Sequence, residues 1–454
     1  MKSKGNEATK LSPVVRELPP QIDKNFNGAR IVAMVEEAEV TPKLRFPEFL
    51  DAAEWNKTKL ADILTEHKLK NNGKCEVHSV SVHKGIINQI EHLGRSFAAS
   101  DTSNYNIVRP NDIVYTRSPT GDFPFGIIKQ NHNGYNVIVS PLYGVFTPDN
   151  RNIGYIIEAY FESHVRTNNY LSPITQKGAK NTIQISNETF LSKGFYLPDD
   201  ELEQQKIAEC LSSLDELITV HTQKLDKLKE HKKGLMQQLF PAEGEMVPKL
   251  RFPEFRDAGK WGKVALGEIA DIKLGKMLDS KKHTTGNLLP YLNNLSVRWN
   301  HVNTSNLPKM YFDDDERVRF GLRAGDVVVC EGGEPGRSAV WDGRLPDIKF
   351  QKAIHRVRFN IPFEPHLLVF YLESIAGTPL FEMLFTGGGI KHLTQETFSQ
   401  LNIPLISHSE QQKITHCLLS FSEQITKQTQ KIEVLKAHKK GLMQQLFPVL
   451  GGEK

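Results

Sequence analysis

His231-Lys232-Lys233-Gly234-Leu235-Met236-Gln237-Gln238-Leu239-Phe240-Pro241 occurs a second time, letter for letter, at residues 438–448. Each copy closes a run whose seam positions step by four and three. The first run is Ile207, Leu211, Leu214, Ile218, His221, Leu225, Leu228, Lys232, Leu235 and Leu239. The second is Ile414, Leu418, Phe421, Ile425, Gln428, Ile432, Leu435, Lys439, Leu442 and Leu446. Near-heptads sustained this long predict two long helices built to coil against a partner. The first should be about 50 Å long at ~1.5 Å per residue. Pro241 and Pro448 stop the two helices in the same way.

The seams pack most economically against each other, and their polar residues suggest the direction. A parallel, in-register pair would set Lys232 against Lys439 and His221 against Gln428, and like charges in a poorly solvated seam repel. Running antiparallel sets each polar residue opposite an apolar one, from which a lysine can snorkel to water. The expected arrangement is therefore antiparallel, with a pseudo-two-fold axis across the coiled coil and one globular module at each end. The alternative is two separate helices, each packed on its own module.

The duplication continues upstream. Pro42-Lys43-Leu44-Arg45-Phe46-Pro47-Glu48-Phe49 recurs as residues 248–255, an offset of 206 against 207 for the helix ends. A period this long means two domains in tandem, because solenoid units run only about 20–50 residues. Prolines keep the opening segment out of regular helix, and Trp55 or Trp261 follows it. Asn111–Tyr115 aligns with Gly325–Val329 as a turn leading into a β-branched strand. Val137–Phe146 aligns with Phe350–Phe359, again strand-like, and Tyr160–Ser163 with Tyr371–Ser374 at a helix end. Glycine-bearing turns at 177–180 and 386–391 come next, before Asn187–Phe190 and Gln395–Phe398. Alternating strands and helices predict α/β or α+β modules.

Residues 56–110 and 262–324 diverge, and the offset there grows to 214. Constant segments shown twice suit two copies of one partner. Divergent interiors at two ends suit two different targets. The expected divisions are an extension at 1–39, a first recognition domain at 40–200 and a central helix at 201–245. A second recognition domain at 246–407 and a closing helix at 408–450 complete them.

With 57 Lys/Arg against 53 Asp/Glu in 454 residues, the net charge of +4 excludes a polybasic tail but allows a local basic face. Cys75, Cys210, Cys330 and Cys417 form no CxxC pair and read as free thiols in a reducing cytoplasm. The sequence has no signal-peptide pattern and no apolar run near the ~18–20 residues of a membrane span, so no membrane partner is expected.

No catalytic or cofactor motif is legible. Gly387-Gly388-Gly389 lacks the Lys-Ser/Thr of a phosphate loop, and neither GxGxxG nor HExxH occurs. Asp313-Asp314-Asp315-Glu316 reads as a solvated turn or helix cap rather than a metal site. His67, His78, His83 and His92 fit no ligand spacing. No catalytic residue, metal site or bound cofactor is expected. Nucleic-acid contacts are the better reading. Basic and amide side chains on glycine-rich turns approach phosphates, and Arg or Asn can pair with base edges. The candidates are Arg95, Arg117, Lys177, Lys180 and Asn181 in the first module, and Lys276, Arg298 beside Trp299, Arg337, Lys391 and His392 in the second.

In this order of segments the chain resembles the specificity (S) subunit of type I DNA restriction-modification systems. The resemblance rests on the paired PKLRFPEF openings, the Glu-Gln-Gln-Lys-Ile helix starts at Glu203 and Glu410, and Leu-Ser-Ser-Leu-Asp-Glu-Leu-Ile at 211–218. Residues 386–393 and the two KKGLMQQLFP ends complete it. It covers about residues 40–450. The extension departs from it, and Gln176-Lys177-Gly178-Ala179-Lys180 replaces the triple-glycine turn.

The resemblance implies two target-recognition domains, each reading half of a split site in double-stranded DNA, with the antiparallel helices fixing the gap. It also implies two methyltransferase subunits holding S-adenosylmethionine and methylating adenine. Restriction subunits would supply ATP- and Mg-dependent translocation and cleavage, in a bacterial or archaeal cytoplasm. This chain would itself be non-catalytic. The competing readings are a bivalent scaffold for protein alone and a self-contained endonuclease or methyltransferase.

Overall fold

The computed structural model describes residues 41–177, 183–278, 288–387 and 391–448. The extension expected at 1–39 lies outside them. Each module is built on a four-stranded antiparallel sheet. In the first module, β1 (Leu64–Glu66), β2 (Ile113–Tyr115), β3 (Ile128–Gln130) and β4 (Gly144–Pro148) lie in the order β1-β4-β2-β3. Helix α1 (Arg151–Phe161), the hairpin β5 (Gln176–Lys177) and β6 (Ile183–Gln184), and α2 (Asn187–Leu191) follow. The long helix α3 (Glu201–Leu239) closes the copy.

The second module repeats the plan. Strands β7 (Ala270–Leu274), β8 (Val327–Cys330), β9 (Ser338–Val340) and β10 (Ile354–Phe359) lie in the order β7-β10-β8-β9. Helix α4 (Pro365–Ile375), the hairpin β11 (Phe385–Thr386) and β12 (His392–Leu393), α5 (Gln395–Ser399) and the long α6 (His408–Leu446) follow.

Register fixes the equivalences. Ile113 lies opposite Phe146, as Val327 lies opposite Val357. This corrects the pairing of Val137–Phe146 with Phe350–Phe359. Val137–Val139 instead pairs with Asn106–Val108 in a separate ribbon, and Gly144–Pro148 is the counterpart of β10. In the sequence, two apolar strands separated by a short turn look like one.

Each long helix has 39 residues. Asp200 caps α3 by accepting from the Leu202 and Glu203 amides, and Ser407 caps α6 by accepting from the Glu410 amide. The helices run antiparallel. Ile207 and Leu211 near the start of α3 share a core with Met443 and Leu446 at the end of α6, and Met236 and Leu239 share one with Ile414 and Leu418. Along the seam Leu211, Leu225, Leu418 and Ile432 are buried, and Leu214, Ile218, Leu228, Phe421, Ile425 and Leu435 are half-buried.

The polar seam residues behave differently from expectation. His221 still meets Gln428, whose amide donates to His221 Nδ1 and to its carbonyl, both at 2.8 Å. These equivalent residues lie beside the helix midpoints, so the pseudo-two-fold axis brings them together in the antiparallel pair too. Lys232 and Lys439 do not snorkel. Both are buried, and each pairs with a glutamate at the end of the module helix beside it: Lys232 Nζ is 2.9 Å from Glu373, and Lys439 Nζ is 2.7 Å from Glu162.

The connections therefore cross. Each long helix begins in one module and ends against the other. Phe447 packs edge-on to Trp55, and Phe240 edge-on to Trp261. The PKLRFPEF segments lash both ends. The Leu44 amide donates to the Gln445 carbonyl at 3.0 Å and the Leu250 amide to the Gln238 carbonyl at 2.9 Å. Arg45 holds Glu203 with two hydrogen bonds of 2.7 Å, and Arg251 holds Glu410 at 2.7 and 2.8 Å. Removing the Glu203 carboxylate would leave buried Arg45 only the Ala52 and Ala53 carbonyls, a loss of about 3–5 kcal/mol.

Candidate nucleic-acid interface

In both sheets the second strand in sequence, β2 or β8, leads into a loop that meets the hairpin ahead of α2 or α5. In the first module Arg117 takes a left-handed conformation, φ 53°, against Gly126. A Cβ on Gly126 would come within 2.8 Å of the Arg117 amide nitrogen, so the close approach requires glycine. Arg117 Nη1 donates to the Ile185 carbonyl at 3.4 Å, and burial lowers its pKa.

In the second module the Leu393 amide donates to the Glu331 carbonyl at 2.8 Å. His355 Nε2 donates to the Leu393 carbonyl at 2.7 Å, and burial lowers the pKa of that imidazole, keeping it neutral. His392 stands over Gly332, where a Cβ would lie 3.4 Å from its Nδ1.

This second site holds a network. Trp299 Nε1 donates to Glu334 Oε1 at 2.9 Å, and Arg337 Nη1 donates to Glu334 Oε2 at 2.6 Å. Arg337 Nη2 donates to the Asn294 carbonyl at 2.7 Å. Arg337 Nη2 also lies 3.8 Å from the buried Cys330 sulfur, and burial raises that thiol while the nearby guanidinium opposes the shift. Arg298 is exposed on a hairpin, paired across from His301. Lys391 is exposed and pairs with Glu382.

The β8–β9 loop thus carries Arg337 and meets His392 over Gly332, Arg298 adjoins that loop through its neighbour Trp299, and Lys391, flanking the β11–β12 hairpin, pairs away with Glu382. Lys276 is not among them. It is buried, donating to the Tyr311 carbonyl at 2.8 Å, pairing with Glu316 and lying 5.0 Å from the Phe312 ring centroid, so its charge is spent within the module. Glu316 also closes a capping box with Asp313, which makes the acidic run a helix start. Arg95 is exposed on a different loop, 4.6 Å over the Phe97 ring. Lys177 lies on β5, while Lys180 and Asn181 fall outside the described residues.

Glu334 and Asn294, neither of them cationic, complete the network. Glu334 sits in Gly-Glu-Pro-Gly-Arg, and the signal was an acid placed between glycines and three residues before an arginine. Two of the four histidines find ordinary partners: His67 Nε2 is 2.8 Å from Asp112, and His78 Nδ1 is 3.1 Å from the Glu76 carbonyl. Cys75, Cys210, Cys330 and Cys417 are free thiols. Among the described residues no group of three or more His, Cys, Asp or Glu is placed to hold a metal ion, and no helix is long and apolar enough to cross a membrane.

Known proteins are similar to this chain in sequence and in fold. Over 357 residues the chain is 27% identical to the putative type I restriction enzyme MjaX specificity subunit of Methanocaldococcus jannaschii, spanning 73% of this chain and 79% of that protein. It is 26% identical over 258 residues to the type I restriction enzyme MjaVIII specificity subunit of the same organism, 54% of this chain and 59% of that protein.

Among solved structures, the type I restriction-modification S subunit from M. genitalium has the same fold. Its TM-score is 0.56 at 13% identity, over 90% of this chain and 100% of that one. A chain from a study of type I R-M complex assembly matches at TM-score 0.50 and 17% identity, over 87% and 97% of the two chains. Residues 53–230 and 258–437 each match the type I restriction modification DNA specificity domain. This chain, α+β modules in tandem across an antiparallel coiled coil, belongs to the family defined by that domain.

Proposed function

We propose that this chain selects the DNA target of a type I restriction-modification complex, each module binding one half of a split site and the coiled coil setting the gap. The observation that carries the reading is the crossed closure. Lys232–Glu373 and Lys439–Glu162 fix unlike modules to opposite ends of one rigid pair of helices. The segments that repeat make the frame, and those that diverge carry the exposed loops. The duplicated frame, including the surface pairs Lys206–Glu48 and Lys413–Glu254, suits two copies of a methyltransferase subunit. In this reading the chain performs no chemistry. Methyl transfer from S-adenosylmethionine and ATP- and Mg-dependent cleavage belong to partner subunits.

With the methyltransferase partner present, nuclease footprinting should protect two short tracts about one helical turn apart. One uninterrupted footprint, or none at any salt concentration, overturns the proposal. Matched seven-residue insertions after Val220 and Lys427 should lengthen the coiled coil by ~10 Å. At ~3.4 Å per base pair the preferred gap should grow by about three base pairs. An unchanged gap removes the ruler. Electrophoretic shift of specific against scrambled DNA separates this reading from a scaffold that binds protein alone.

A further inference from the structure

We propose that Glu334 reads the N4 amino group of a cytosine in the half-site of the second module, with Trp299 and Arg337 as its positioning residues. The assignment rests on the DNA-binding reading above and narrows it to one side chain.

The loop carrying Glu334 is held rigidly. Gly333 and Gly336 take φ values of 79° and 86°. The Phe381 ring packs so close to Gly336 that a Cβ there would lie 2.0 Å from its Cζ, and Gly333 approaches the Asn294 side chain. Glu334 itself remains 53% exposed at its side chain. One carboxylate oxygen accepts from Trp299 and the other from Arg337. Each oxygen then keeps a lone-pair site, on a carboxylate that is anchored at both oxygens and still half-exposed.

That arrangement suits base reading better than backbone binding. A carboxylate accepts hydrogen bonds and repels phosphate, so on a DNA-facing loop it contributes specificity rather than affinity. Carboxylates match the cytosine amino donor in the major groove. Arg337 offsets the charge that would otherwise oppose the approach of DNA, and exposed Arg298 and His392 supply donors beside it. Ordering the side chain beforehand lowers the entropy cost of the contact. The counterpart loop in the first module is built differently. A turn closed by reciprocal Thr120–Phe123 backbone hydrogen bonds presents Asp122 there. The device therefore acts on one half-site.

The test selects binding sites from DNA randomised across both half-sites. It uses the full chain with its methyltransferase partner, as wild type, Glu334→Gln and Trp299→Phe, with thermal melts to show that all three are folded. Glu334→Gln should move the preference at one position of one half-site from cytosine toward adenine, which an amide pairs with in bidentate fashion, by about ten- to a hundredfold. Trp299→Phe should relax the same position by about tenfold, because the carboxylate loses one of its two anchors. The other half-site should be unchanged in both. Unaltered base preference in Glu334→Gln, or an equal loss of binding to all sequences, overturns the assignment alone. Failure of the wild type to select any split site overturns the DNA reading with it.

Discussion

The two junctions between coiled coil and modules occupy equivalent places and use opposite chemistry. At the first, Lys439 lies 2.7 Å from both Glu162 and Asp215, and Asp215 also accepts from the Tyr155 hydroxyl. Behind them buried Lys129 lies 3.2 Å from Glu158 and 3.3 Å from Glu162, while His132 lies 2.6 Å from Glu158. At the second, Lys232 keeps the equivalent glutamate, Glu373, which also accepts from Asn300 at 2.6 Å. The register puts Ala339 where Lys129 stands, Val369 where Glu158 stands and Ser422 where Asp215 stands. The lysine–glutamate pair is the common latch. Around it one junction is a charge network and the other is apolar core. A buried network stabilises only while every member is paired, whereas an apolar core loses stability in proportion to what is removed.

The largest expected effect follows directly. Glu158→Gln leaves Lys129 buried with a single carboxylate and should cost about 3–5 kcal/mol in denaturant unfolding. Val369→Ala, at the matching place, removes two buried carbons and should cost about 2 kcal/mol. Equal losses would mean that the network is solvated and the contrast is not real.

Legibility in the sequence divides along similar lines. The long helices could be read because their seams are periodic and their ends are local: Asp200, Ser407 and the two prolines. The latch could not. Glu162 and Glu373 lie far along the chain from Lys439 and Lys232, so seam lysines read as residues that escape to water. Lys276 reads as a DNA-facing cation for the same reason, since its partner Glu316 is 40 residues away in an acidic run that reads as a solvated turn or helix cap. Glu334 is not legible in the sequence, because its carboxylate stands out only beside Trp299 and Arg337, which the fold supplies.

Acid should separate the junctions next. Burial pushes the Glu158 carboxyl up, but Lys129 and His132 overcome it and hold it at about 2, below its ordinary 4.5. A depressed carboxylate contributes stability that is complete above its unfolded pKa and is lost as pH falls through the folded one. About 3 kcal/mol should therefore disappear between pH 4.5 and 2. Glu158→Gln should show no such loss over that range, and a wild-type curve parallel to it would count against the network. At the alkaline end, burial lowers Lys129 and Lys439 but their carboxylate partners outweigh it and raise both. Their contributions hold below about 10.5 and fade as pH rises through the raised values.

Exchanging the chemistries sharpens the comparison. Lys129→Ala with Glu158→Val writes the second junction's residues into the first while leaving Lys439 its two carboxylates. Replacing a buried pair by apolar groups of suitable shape is neutral to stabilising, here up to about 2 kcal/mol. Denaturation midpoints of this double variant against each single variant form a cycle that measures the coupling. Simple additivity of two large losses would show that the pocket cannot close around apolar side chains.

The smallest effect lies at the axis, where the junctions have no say. Gln428→Met keeps the seam filled but removes both hydrogen bonds to His221, at a cost of about 0.5–1.5 kcal/mol. His221 is half-buried, so water can replace the lost donor at Nδ1, which keeps the loss at the low end. Because the pair lies between the modules, hydrogen exchange should rise symmetrically from the midpoint and leave Phe240 and Phe447 equally protected. Selective loosening of one module would show that the midpoint feels the charged and apolar ends differently, and that the two halves of the coiled coil are not mechanically equivalent.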